Sequence, residues 1–301
     1  MKKGYLLVAL GASCWGTLGA ISTVLFNHGL SPVTVANYRV LLTTLIFGGY
    51  LLLFRRHDFK VKKQDLPLLV CIGLVSVCLF NLAYNSAIDM TSIVTAVILL
   101  YTAPIFVTII SRFIFNEKVT TQKTVALVLT LIGCALVSQA YDLNNLKLNS
   151  IGIVAGLGAG LTYGLYSIFS KKALVTCSPW TITFYSFAFG SLFLSLYGKP
   201  WQSLYIFNDV TIATFLWLIA LIPTVAAYTL YTTGLQFVET SKASIIATME
   251  PVVAVILAAF IFHEQINAIQ LLGILLVIGS VILIQLPMGR RSLNQTKNTS
   301  I

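Results

Sequence analysis

The stretch Lys242-Ala-Ser-Ile-Ile-Ala-Thr-Met-Glu-Pro-Val-Val-Ala-Val-Ile-Leu-Ala-Ala-Phe-Ile-Phe-His-Glu264 decides how the rest of the chain is read. Between Lys242 and His263 its only charge is Glu250, and the apolar run is long enough to cross a bilayer. A carboxylate near the centre of such a span costs roughly 2.5–3.5 kcal/mol on insertion scales, so it turns toward protein or a water-filled cavity. Pro251 follows it directly, removing a backbone donor and loosening the helix at that point. One buried acid beside one weak point marks a candidate functional site.

Composition agrees with a membrane chain. Of 301 residues, 57% are hydrophobic and 9% charged, far below the quarter charged in soluble domains. The net charge of +10 is therefore read loop by loop and carries no implication of nucleic acid. None of the five cysteines forms a C-x-x-C, and four lie in apolar runs, so they read as small buried hydrophobes. The first apolar run resembles a signal peptide but is too long, and is read as an uncleaved span.

Ten apolar spans of about 20 residues follow from bilayer thickness: Gly4–Leu25, Pro32–Phe54, Leu66–Ile88, Ser92–Phe115, Thr121–Ala140, Ile151–Leu174, Trp180–Tyr197, Thr211–Leu235, Ala243–Phe262 and Ala268–Leu286. The expected fold class is an all-α polytopic membrane protein. With ten spans, 16 of the 19 Lys and Arg residues fall on one side, Lys147 and Lys199 on the other, and Arg39 within a span. The positive-inside rule then puts both termini in the cytoplasm. The expected location is the cytoplasmic membrane.

The chain also repeats. Phe113-Ile-Phe-Asn-Glu117 matches Phe260-Ile-Phe-His-Glu264, and Pro104 matches Pro251 at the same offset of about 147 residues. Trp15-Gly16 matches Tyr163-Gly164, and Asn81, Tyr84 and Asn85 match Tyr228, Tyr231 and Thr232. The expected domains are a five-span repeat over residues 1–141, a second over 149–287, and a polar cytoplasmic tail over 288–301. An odd span number inverts the second repeat, and inverted repeats place solute sites near the midplane between halves that rock.

Trp15-Gly16, Arg39, the Pro104…Glu117 segment, Glu250-Pro251…His263-Glu264 and Gln270-Leu-Leu-Gly273 together resemble the EamA-like ten-span group of the drug/metabolite transporter superfamily. The resemblance covers almost the whole chain. It implies a ten-helix carrier with a central cavity, among whose relatives are exporters of amino acids and other metabolites. His263 stands where such chains commonly have Gly, and is expected to alter only a surface turn.

Symmetry sorts the polar residues. Glu117 and Glu264 occur in both repeats and are expected to order their turns and favour the following helix. Glu250 and Arg39 break the symmetry, their counterparts being Ala103 and Ser186. They lie at depths that differ by about 5 Å, counted at 1.5 Å per residue. They are read either as a mutually neutralising pair that fixes packing or as groups that bind solute; Glu250 would hold a solute ammonium group or a proton, or anchor the backbone around Pro251. Asn81, Tyr84 and Asn85 share one helix face, as do Tyr228, Tyr231 and Thr232. Both faces are expected to line a shared cavity, the alternative being interhelical hydrogen bonds. Tyr101, Trp15, Tyr163 and Tyr166 are expected to complete an aromatic wall, and Pro104 and Pro251 to act as hinges.

The function expected is secondary, non-ATP transport of small polar metabolites, as an exporter of amino acids or related compounds, by alternating access around a midplane cavity, with a proton as the candidate coupling ion. Export of hydrophobic organic cations using Glu250 is the alternative. An enzyme is disfavoured: His28, His57 and His263 fall in loops and only one acid is buried, so neither a cofactor, a metal site nor a catalytic pair is expected. A channel is disfavoured because no rings of like residues occur.

Overall fold

A computed structural model describes residues 2–142, 146 and 148–286. Lys147 and the tail 288–301 thus lie outside the described residues. The chain is helical throughout the bundle. The spans are α1 (Lys2–Asn27), α2 (Pro32–Phe54), α3 (Leu66–Met90), α4 (Ile93–Ile114), α5 (Thr121–Val137), α6 (Ser150–Ala173), α7 (Pro179–Gly198), α8 (Val210–Leu235), α9 (Thr240–Phe262) and α10 (Ala268–Gln285). Nine of these helices are long and apolar enough to cross a membrane; the tenth, α5, is a shorter apolar helix. It ends at Val137, ahead of the expected Ala140, because Gln139 turns left-handed at φ 58°.

Local signals start most helices. Ser31, Ser178 and Asn267 present side-chain oxygens to the first-turn amides of α2, α7 and α10, and Pro follows directly in α2 and α7. Asn116 and His263, equivalent in the two repeats, both turn left-handed just past α4 and α9, at φ 55° and 57°. That conformation costs a non-glycine residue about 1–2 kcal/mol. His263→Gly is therefore expected to raise stability by about 1 kcal/mol, read as a higher Tm in detergent; an unchanged or lower Tm contradicts this account.

The two halves interleave. α1 packs on α8 and α9, and by the same symmetry α6 packs on α3 and α4; α2 pairs with α7, and α5 with α10. Two bundles result, α1–α8–α9 and α6–α3–α4. Small residues set the spacing: a Cβ at Gly160 would lie 2.8 Å from the Leu99 carbonyl oxygen, and one at Gly133 would lie 2.9 Å from that of Gly273. Gly158 and Gly19, by contrast, face open space and make no such contact. Between α5 and α10 the hydroxyls of Thr130 and Ser280 share a buried hydrogen bond of 2.8 Å.

Two irregularities recur in both repeats. π-helical turns run over Ile72–Leu79 in α3 and Leu221–Ala226 in α8, each just ahead of the polar faces at Asn81 and Tyr228. α4 breaks at Tyr101–Thr102 and α9 at Thr248, each a few residues before its proline. The proline has no N–H for the carbonyl four residues back, and its ring crowds that carbonyl, so the break precedes it.

The end of the bundle that carries the start of α1 and the α2–α3 connection, with Arg55, Arg56 and Lys60, is termed the basic end; the opposite end is the far end. Glu117, at the basic end, corrects the sequence reading. Helix α5, which follows it, is capped by Thr120. Glu117 instead reaches the first turn of α9 in the other repeat, accepting hydrogen bonds from the backbone N–H of Thr240 at 2.7 Å and Ser241 at 3.1 Å, and from the Ser241 hydroxyl. Its counterpart Glu264 is exposed, and α10 is capped by a reciprocal Asn267–Gln270 pair.

Candidate functional site

The breaks in α4 and α9 place two half-helix starts within the bundle. Glu250 lies in the first turn of the half-helix Met249–Phe262. Helix starts carry partial positive charge, and this is the local reason a carboxylate is tolerated so far from either end. The side chain is partly exposed although it sits deep in the bundle, so it borders an internal opening. It accepts one hydrogen bond, from the Tyr163 hydroxyl at 3.3 Å.

Arg39 does not pair with Glu250. The two interact electrostatically without forming an ion pair among the described residues. Arg39 Nη2 donates instead to Asn81 Oδ1 at 3.2 Å, and Asn81 Nδ2 donates to the Val77 carbonyl at 2.7 Å. Arg39 is 8% exposed, so a guanidinium with five N–H groups is held in the interior by one side-chain partner. Asn81 thus orients Arg39 and has little freedom to bind anything else.

Aromatic rings join these two charges. Trp15 sits at the centre, 6.0 Å from Tyr163, 5.1 Å from Tyr228 and 4.9 Å from Tyr231 by ring centroids. Phe80 extends the wall from Tyr163 at 5.6 Å to Tyr84 at 5.9 Å, and Phe187 closes on Tyr228 at 4.8 Å. Phe80 and Phe187 are additions the sequence did not single out, because an isolated Phe in an apolar run carries no signal. Tyr84 and Asn85 are partly exposed toward the far end.

The α8 face differs from the α3 face. Tyr231 and Thr232 are 2% and 0% exposed and bond to α6: the Tyr231 and Ser167 hydroxyls lie 2.7 Å apart, and those of Thr232 and Tyr166 2.8 Å apart. They sit below the opening as its floor. Beneath Tyr163 a tight cleft of about 10 Å³, near the room of one water, runs among Tyr101, Pro104, Tyr231, Ser244 and Thr248. It lies toward the basic end, where Ala103–Ile114 of α4 packs on Thr240–Ala247 of α9. The other halves of the same spans, Ile93–Leu100 and Met249–Phe262, pack together less closely. Along these two spans the basic end is therefore packed more tightly than the far end, toward which Tyr84 and Asn85 are partly exposed.

Gly16 holds this geometry. A Cβ there would lie 2.6 Å from Val253 Cβ and 2.8 Å from the Glu250 carbonyl oxygen. Gly16→Val is expected to cost about 1–3 kcal/mol of stability by overpacking, measured as a lower Tm in detergent; an unchanged Tm shows that α1 and α9 can separate there freely.

Comparisons with known proteins agree with this architecture. The EamA-like transporter family matches residues 2–139 and again residues 150–286. An uncharacterized transporter of Archaeoglobus fulgidus is 30% identical over 286 residues, 94% of this chain and 96% of that protein. The uncharacterized transporter YwfM of Bacillus subtilis is 26% identical, covering 95% of each chain. The uncharacterized inner membrane transporter YicL of Salmonella typhimurium is 23% identical over 97% of this chain and 98% of its own. One crystal structure shares the fold at a TM-score of 0.81 with 13% identity, covering 95% of this chain and 97% of that one. This chain is a multi-span membrane transporter, and it belongs to the EamA-like transporter family.

Proposed function

We propose that this transporter is a secondary carrier of small polar metabolites that bear an ammonium group, amino acids foremost, and that it moves them outward. The observation that carries the reading is Glu250, an acid with one protein hydrogen bond, at a helix break, beside an internal opening. A carboxylate so placed is a ready partner for an ammonium group or a proton. Arg39 is in reach of the same aromatic wall, with donors to spare for a solute carboxylate. Tyr84, Asn85, Tyr101, Tyr163 and Trp15 supply the remaining contacts; Asn81, Tyr228, Tyr231 and Thr232 hold the walls in place. Pro104 and Pro251 are the hinges, and the repeats 1–141 and 149–287 each contribute helices to the two interleaved bundles that rock against one another, with 288–301 as a tail. The excess of Lys and Arg supports a cytoplasmic basic end, which makes the less tightly packed far end the outer side.

A second reading has one observation in its favour. Tyr163 bonds to Glu250, and the Trp15 and Phe80 rings pack against Tyr163, so aromatic rings that attract cations lie next to the carboxylate, which suits hydrophobic organic cations. Counterflow in proteoliposomes separates the two. Vesicles loaded with unlabelled amino acids are expected to take up labelled amino acid by exchange, and a pH gradient reveals a coupled proton. Exchange of organic cations alone, without discrimination between stereoisomers, replaces the first reading with the second.

A further inference from the structure

The basic end carries a set of charged contacts that neither helix capping within a repeat nor solute binding explains. The short connection from α8 to α9, residues 236–239, is gripped at both flanks. Lys171, from α6, donates to the Leu235 carbonyl and, at 2.9 Å, to the Val238 carbonyl. Glu117, beyond the end of α4, takes the first-turn amides of α9. A cation thus meets the negative end of one helix and an anion the positive end of the next. Lys123, 2% exposed, lies 3.4 Å from Glu117 and 3.0 Å from Glu239, whose other neighbour Lys242 is at 3.4 Å. Burial alone would raise the Glu239 carboxyl, but hydrogen bonds and charge from Lys123 and Lys242 outweigh it and hold it below the usual range.

Apart from Lys242–Glu239 and Lys123–Glu117, each of these grips ties α8, α9 or their connection to residues outside that bundle: Lys171 in the α6 bundle, Glu117 just past α4, and Lys123 in the first turn of α5. The far end has equivalent positions and a different chemistry. Glu264 is exposed; Gln270, in the place of Lys123, is committed to the α10 cap; Thr23, in the place of Lys171, bonds to the Gly19 carbonyl of its own helix. The counterparts of the two clamping cations are therefore neutral.

We propose that Glu117, Lys123 and Lys171 form a releasable clamp that holds the basic end shut, and that its absence from the far end biases the empty carrier toward the form open at the far end. Release of Glu117 from Thr240 and Ser241 lets the start of α9 part from the end of α4, widening the cleft at Ser244 and Thr248. The proposal rests on the alternating-access reading, but not on any particular solute.

The test needs no solute. In a variant with the five native cysteines replaced, Ser244→Cys reports on the cleft. A membrane-impermeant maleimide is applied to right-side-out and to inverted vesicles. Glu117→Gln is expected to speed labelling from the basic end roughly tenfold, the scale of losing charge-assisted hydrogen bonds, and to leave labelling from the far end no faster. Glu264→Gln, which removes the equivalent far-end charge, leaves both rates unchanged. Unaltered basic-end labelling in Glu117→Gln overturns the proposal, as does a rise from both ends alike. Should Glu117→Gln fail to fold, a Glu117→Cys, Ser241→Cys pair is oxidised in place. Cross-linking is expected to stop basic-end labelling at Ser244→Cys until a reductant is added; labelling that continues through the cross-link also rejects the clamp. Failure of the solute assignment alone would leave every one of these rates as expected.

Discussion

Glu250→Gln lowers counterflow of ammonium-bearing solutes roughly 10- to 100-fold, the equivalent of about 1.5–3 kcal/mol for a hydrogen bond to a charged group. The amide keeps the shape of the side chain, and its oxygen still accepts from Tyr163, so the fold and the Met249–Phe262 half-helix stay in place. What disappears is the negative charge at the start of that half-helix. Three patterns separate the possible roles. Loss of exchange at every pH places the charge in solute binding. Retained exchange that no longer responds to a pH gradient places a proton there instead. Full exchange with a normal pH response returns Glu250 to the role of holding backbone around Pro251, and the solute reading then falls.

Replacing Arg39 by Met has the second large effect, and it is selective. The guanidinium bonds to Asn81 Oδ1 and has no carboxylate partner among the described residues, while Met keeps most of its length and packing. A buried cation in this state is costly unless something shares its field. Exchange of amino acids is expected to fall roughly tenfold or more, while amines that lack a carboxylate are still exchanged through Glu250. The comparison of the two solute classes, measured in one preparation, is the check. Equal loss of both would show that Arg39 only positions α2 against α3. Purified Arg39→Met is expected to remain folded, because the Asn81 amide retains its bond to the Val77 carbonyl.

Much of the fold is legible because it depends on local pattern. A bilayer demands about 20 apolar residues per crossing, and ten such runs stand in the chain whether or not their neighbours are known. The repeated Phe-Ile-Phe-x-Glu segments and the paired prolines state the duplication directly, and proline chemistry fixes the breaks before Pro104 and Pro251. The lone charge of Glu250 in its apolar span marks the candidate site for the same reason.

Lateral neighbours are another matter. Arg39 and Glu250 are matched in depth by counting residues, yet depth says nothing about direction around a helix axis, and Arg39 turned out to face Asn81. Glu117 looks like a cap for α5 because α5 comes next; it serves α9, 123 residues away, because the repeats interleave. The polar face of α8 was periodic enough to find, but its commitment to Tyr166 and Ser167 depends on how α6 crosses it. The sequence by itself determined the number of spans, their inversion, the two breaks and the isolated acid, since hydrophobic length, periodicity and proline act within a few turns of one helix. Only the tertiary structure decided which charges meet, which polar groups are committed to protein partners and which end of the bundle is packed more tightly, because those depend on contacts between helices far apart in the chain.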